Sequence, residues 1–283
     1  MDSESVCERV RYLVDQHFPW SGAVPRRGEE RLGHVHRWLE RETAVYRSVA
    51  QRLIRRMEPI LSSLRCQLAP HERKRFLYRI DDSHVIKTPE AILEKMARLW
   101  VDPTHAPPVC FDNLDELNDL GRFRIVTNFL SDVELISARL EDPFDATKRQ
   151  RLSSPQRDLH REFTLQRNHF ENLIELAPGR RKSGERCHKG IFSPRRREHH
   201  TRRVEVQILT AIQEAWDKKD HAFIYEPRRA GHPVTVEQEQ LSYSLSEQLY
   251  LADLTFERLK QAGAPPPPSG RAAPRATAKR KAR

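Results

Sequence analysis

No window of the chain approaches the ~18 uninterrupted apolar residues of a membrane-spanning helix, so no helical membrane span is expected. The first residues, Met1-Asp2-Ser3-Glu4, are acidic and no apolar core follows them, which argues against a cleaved signal peptide. Cysteine is scarce. Cys7, Cys66, Cys110 and Cys187 stand far apart in neither metal-ligand nor paired spacing, which reads as a reduced thiol set and a cytoplasmic location. Aromatics make up 7% of the residues, no internal repeat is visible, and no run of closely spaced histidines and aspartates signals a metal-dependent hydrolase unit. Charge, by contrast, is plentiful at 32%, and the 37% apolar content of 283 residues suffices for one large or two small domains.

The net charge of +10 is unevenly placed. Residues 179–203 hold +8 and the tail 263–283 holds +6, leaving a body of −4. Phosphate-rich partners are the natural expectation: nucleotides if the inner cluster lines a pocket, RNA if it forms a surface. Without such a partner, both are solvated charge runs.

Apolar spacing predicts helices over 3–18 and, in two runs from Leu32 to Leu64, with a kink at Pro59. A short strand is expected between Phe76 and Ile80. Thr88-Pro89-Glu90 is a helix start, with a hydroxyl cap, a proline in the first turn and an acid behind it. Residues 122–129 alternate as a strand, and Ser131 with Glu134 predicts a capping box for the next helix. From Asp142 to Gly184 only Phe170 to Leu176 reads as ordered. Val204, Val206 and Ile208 alternate with Glu205 and Gln207, a strand with its carboxylate opposite the core face. An amphipathic helix follows, carrying Ile212, Ala215, Trp216 and Phe223. A last helix has Leu241, Leu245, Leu249, Ala252, Phe256 and Leu259 at steps of three and four. The expected architecture is α/β (α+β): a mixed sheet flanked by N- and C-terminal helices. The expected division is 1–70 for the N-terminal helices, 71–262 for the core with its last helix, and 263–283 for a disordered basic tail.

Three patterns carry chemistry. Lys87 precedes the Thr88 helix start, with Lys95 eight residues on and Arg98 behind it. Asp119 stands just before the strand that carries Arg124. Glu205 and Gln207 lie in the later strand, followed by Trp216, Asp220-His221 and Tyr225. Singly, each of these residues would more often belong to a solvated face or a turn. Together and in this order they resemble the RelA/SpoT synthetase domain, a branch of the nucleotidyltransferase fold, over about Phe76 to Leu259.

The resemblance implies transfer of the β,γ-pyrophosphate of ATP to a ribose 3′-hydroxyl, that of GDP or GTP. Asp119 would be the principal magnesium ligand, and Glu205 would share the Mg2+ or accept the hydroxyl proton. Lys87, Lys95 and Arg98 would hold the ATP phosphates, and Arg124 would lie against the adenine. The acceptor would meet Arg181, Glu185, Arg186, His188 and Gln207. Four residues depart from the family's pattern. Val85 and Leu209 stand where arginine is usual, Ala91 where serine is common, and Glu185 where a tyrosine stacks on the acceptor base. Lost stacking is worth roughly 1–3 kcal/mol per base. A toxin-like enzyme acting on the tRNA 3′ end is the alternative that the basic cluster and tail favour. A catalytically silent nucleotide- or RNA-binding module is what the departures favour. The oligomeric state is left open.

Overall fold

The computed structural model describes residues 28–101, 111–175, 184–229 and 232–263. The helix expected over 3–18 and the tail from 264 onward lie outside them. Apolar residues at helical spacing from Val35 to Leu64 make one buried face of a single long helix, α1 (Gly28–Gln67), which includes Pro59. The hydrogen bond that Pro59 cannot donate is offset by burial of Met57, Ile60, Leu61 and Leu64 around it. A short helix α2 (Pro70–Arg75) leads into strand β1 (Tyr78–Asp81), and Thr88-Pro89-Glu90 opens α3 (Pro89–Val101). The Thr88 Oγ1 accepts from the Ala91 N–H at 3.4 Å, the cap that the sequence signals.

Strand β2 (Gly121–Thr127) is followed by α4 (Leu130–Glu141). The Ser131–Glu134 capping box does not form: Phe129 takes the cap position and Ser131 lies inside the first turn. There its N–H donates to Glu257 and its hydroxyl accepts from Lys260, so Ser131 binds the last helix instead of its own. The stretch 142–175 is more ordered than its prolines suggest. It holds α5 (Ser154–Glu162), β3 (Phe163–Leu165) and β4 (Glu171–Asn172). Pro155 sits in the first turn of α5, where its missing N–H costs nothing, and the Gln156 side chain accepts from the Ser153 N–H at 3.0 Å.

The chain continues through β5 (His188–Pro194), β6 (Val204–Thr210), α6 (Ala211–Asp220), a π-helical turn over His221–Tyr225, α7 (Glu226–Arg229) and α8 (Val236–Ala262). The six strands form one mixed sheet in the order β1-β2-β6-β5-β3, with β4 pairing β5. Among these pairs only β2 and β6 run parallel. Phe123, Ile125, Val204, Val206, Ile208 and Phe192 point to one face, into a core shared with α1 and α4. A second cluster packs α3 on α1 through Val35, Leu39, Tyr46, Ile92 and Met96, and includes Leu114, Leu117 and Leu120.

Helices α6 and α8 present other faces than their apolar spacing predicts. In α6 the buried side chains are Gln213, Glu214 and Trp216, while Phe223 beyond it is 68% exposed. In α8, Leu241, Leu245, Phe256 and Leu259 are exposed, and Ser246 and Asp253 are buried. Polar anchors set this rotation. Asp253 Oδ2 accepts from the Thr210 hydroxyl at 2.7 Å and from Gln213 Nε2 at 2.9 Å; Lys260 Nζ lies 2.7 Å from Asp132, and Glu247 pairs with Arg186. Four such bonds at buried or half-buried positions outweigh an apolar stripe that can remain in water.

Candidate active site

Because side chains alternate across a strand, the face of β2, β6 and β5 opposite the core carries Arg122, Arg124, Glu205, Gln207 and Lys189. Register brings Arg124, Gln207 and Lys189 into one row across three strands, with Arg122 beside Glu205. These residues floor a cavity of about 620 Å³. Its walls are the N-terminal end of α3 and the α6–α7 segment, with Trp216, Asp217, His221 and Tyr225. His221 and Tyr225 stack on one another with ring centroids 5.0 Å apart.

Backbone bonds place the first two charged motifs side by side. Lys87 N–H donates to Leu120 O at 3.1 Å, Arg122 N–H to Val85 O at 2.8 Å, and Ile86 bridges Gly121. Buried Leu117 and Leu120 hold the intervening turn, so Asp119 faces the helix start. The Asp119 carboxylate lies 2.7 Å from Lys87 Nζ and 2.5 Å from Lys95 Nζ. Burial alone would lift its pKa, but the two ammonium groups overturn that and hold it well below the usual carboxylate range. Burial wins at Lys87, whose pKa is lowered despite Asp119.

Glu205 is 6% exposed. Burial raises its pKa; Asp119 and Glu185 add to the rise and Lys189 opposes it. Gln207 Nε2 donates to Glu205 Oε1 at 2.8 Å and to Glu185 Oε1 at 3.0 Å, while Arg124 Nε donates to Gln207 Oε1 at 3.0 Å. Arg124 also pairs with Asp217 at 2.5 Å. Lys189 Nζ stands 3.0 Å from Glu185 and 3.9 Å from Glu205. Burial would lower its pKa, but the two carboxylates hold it raised. The loop before β5 is seated by Gly184, where an added Cβ would come 2.5 Å from the Trp216 ring and 2.9 Å from Ser246.

Of the expected site residues, Lys87, Lys95, Asp119, Arg124, Glu185, Glu205 and Gln207 line this cavity. Two do not. His188 is on the core side of β5, 8% exposed, with Nδ1 2.8 Å from the Ser137 hydroxyl, and burial lowers its pKa to about 4. Arg186 is buried over the Tyr250 ring, 2.7 Å from Glu247 and donating to Ile174 O. Arg181 and the side chain of Arg98 lie outside the described residues. Among the departures, Val85 is in the main core, Leu209 packs with Val126 and Cys187, and Ala91 and Glu185 line the cavity.

Lys189 and Asp217 are cavity residues that the sequence reading missed. Alternation along β5 was the available signal for Lys189, since it puts Lys189, not His188, on the face of Glu205. In its described part, residues 184–203, the basic cluster is neither one pocket nor one surface. Arg202 pairs with Glu42 and Asp115, and Arg203 with Glu116, while Arg186 and Lys189 go to the places just described.

Asp119 and Glu205 offer hard oxygen donors to one cavity, a set that suits Mg2+, which takes one or two protein carboxylates beside phosphate and water oxygens. No group of three or more His, Cys, Asp or Glu able to hold a metal occurs among the described residues.

No protein-family model and no curated protein sequence matches the chain. Solved structures do. Small alarmone synthetase 1 from Bacillus subtilis superposes with TM-score 0.52 at 16% identity, covering 80% of this chain and 97% of that one. The same protein bound to its product pppGpp gives TM-score 0.52 at 16% identity, with 80% and 98% covered. A GTP pyrophosphokinase family protein from Streptococcus pneumoniae gives 0.51 at 16% identity, with 80% and 94% covered.

Proposed function

We propose, on the RelA/SpoT-type synthetase fold that this chain has, that it transfers the β,γ-pyrophosphate of ATP to the 3′-hydroxyl of GDP or GTP, breaking the α–β phosphoanhydride bond and releasing AMP. One observation carries this reading: Lys87 and Lys95 converge on Asp119 at the rim of a cavity floored by the buried Glu205. Pyrophosphoryl transfer needs cations on the phosphates and a base at the attacking hydroxyl, and little covalent chemistry from the protein.

Lys87 and Lys95 would turn from Asp119 to the triphosphate, with the N-terminal end of α3 adding a favourable dipole. Arg124, fixed by Gln207 and Asp217, would offer a cationic plane to the adenine. Mg2+, held by Asp119 and Glu205, would offset the charge on the phosphates. Where it does not share the Mg2+, Glu205 would take the proton from the 3′-hydroxyl, and its burial makes it a stronger base than an exposed glutamate. Gln207 would keep Glu205 oriented through its 2.8 Å hydrogen bond.

A second acceptor, the tRNA 3′ end, is favoured by Glu185. Where the resemblance places a stacking tyrosine, position 185 has a carboxylate held by Gln207 and Lys189. γ-Labelled ATP with magnesium, offered in turn with GDP, GTP and total tRNA, separates the readings. Label in a guanosine nucleotide supports the first, label in tRNA the second, and label in none of the three overturns both.

A further inference from the structure

Behind the sheet, on the α1 face, a second cavity of about 550 Å³ is lined by Arg52, Arg56, Arg161, Glu162, Arg195 and Arg196. Five arginines surround one carboxylate, and Glu162 is already taken. Arg56 Nε donates to it at 2.8 Å, and Arg52 Nε stands 3.6 Å away, buried and without a hydrogen-bond acceptor among the described residues. Arg195 is held in place by its backbone: its Nε donates to the carbonyls of His160 at 2.7 Å and Phe163 at 3.0 Å. Its Nη2 lies 3.4 Å from the Nε2 of His160. Arg161 pairs only with Asp158 among the described residues, at 2.9 Å, with its side chain 71% exposed, and Arg196 has no acidic partner among them.

Contacts within the fold seat several of these arginines, Arg52 also lying over the Phe163 ring, yet Glu162 is the one carboxylate lining the cavity with them. A tether between α1 and α5 needs Arg56 and Glu162 alone. We infer that this cavity is a binding site for a small oligophosphate anion, a pyrophosphate or triphosphate group either free or carried by a nucleoside. The charge calls for a ligand with several negative charges. Planar guanidinium groups match phosphate oxygens two at a time, and none of the lining cations is a lysine. The concave shape and volume suit a small molecule, whereas a nucleic-acid backbone would follow an extended basic track.

Calorimetric titration of the full chain with inorganic tripolyphosphate, in chelator and low salt, tests the site. Arg161→Ala/Arg196→Ala is the variant of choice, because both side chains are exposed and their loss leaves the core contacts intact; Arg196→Glu alone is the second. The expected result is that the number of tripolyphosphate ions bound per chain falls by one, or that one class of site weakens at least tenfold, in both variants. The front cavity does not enter this difference, so it holds whether or not Lys87 and Lys95 bind phosphate. A parallel titration with GTP tells a bare oligophosphate site from a nucleotide site, and either supports the inference. Unchanged stoichiometry and affinity in both variants would overturn it. So would loss of oligoribonucleotide binding in the variants with tripolyphosphate binding intact, which would make the face an RNA surface.

Discussion

Asp119 answers two ammonium groups with one carboxylate, so it competes with phosphate for the lysines. This gives an expectation opposite to the usual one for a catalytic acid. Asp119→Asn should abolish transfer, yet without magnesium it should bind ATP as tightly as the wild type or tighter, because Lys87 and Lys95 are released. Equilibrium binding in chelator reads this directly, and clearly weaker binding would remove the lysines from the phosphate site. Glu205 makes a second expectation. Its pKa is raised, so the ionised carboxylate costs stability as pH rises above the ordinary glutamate range. Glu205→Gln should lose transfer while melting at or above the wild-type temperature at pH 8, with the difference shrinking towards pH 5. A residue that served only the fold would lose stability instead. His188 has the reverse sign. Its folded pKa of about 4 lies below the ordinary 6.5, so the stability it contributes is complete above pH 6.5 and lost as pH falls towards 4. That loss is about 3 kcal/mol. His188→Asn, which can keep the bond to Ser137, should flatten this part of the stability–pH curve measured by denaturant unfolding.

Among the elements, Thr210 is a junction: it caps α6 through the Gln213 N–H at 3.2 Å and gives its own proton to Asp253 on α8. It thereby holds the cavity wall that carries Trp216 and Asp217. Thr210→Val keeps the shape but removes both bonds and leaves Asp253 with Gln213. A cost of roughly 2–3 kcal/mol is expected in denaturant unfolding, from a lost cap and an under-satisfied buried carboxylate. Much of this architecture was legible in the sequence. Alternation in 122–129 and 204–208 pointed to both central strands and the face of Glu205, although the first strand ends at Thr127 and Phe129 caps α4, and Thr88-Pro89-Glu90 marked the start of α3. Between Asp142 and Glu175 only the stretch that holds β4 reads as ordered; β3 was not legible, because it spans three residues and gains its stability from β5, not from its own pattern. The rotation of α8 was hidden for a related reason. Buried polar bonds to distant residues fixed it, and leucine spacing carries no trace of them. His188 misled because a motif match says nothing about which side of a strand it occupies.

For the whole molecule, no described helix is long and apolar enough to cross a membrane, and the sheet separates two concave, charged faces. The parallel pairing of β2 with β6 puts the two acids at one end of the sheet, since Asp119 precedes one strand and Glu205 begins the other. Parallel neighbours need a long crossover. Here α4, α5, β3, β4 and β5 all intervene, so the two carboxylates are neighbours in space but 86 positions apart along the chain. That distance has a consequence in time. Local helices can form early, whereas closing so long a loop waits for the strands that fill it. On refolding from denaturant, helical circular dichroism should therefore return before ATP binding does, and the lag should persist at high protein dilution. During synthesis the same order means that the ribosome must have released the chain well past Arg203 before the acids can meet, so no shorter nascent chain can hold a working centre.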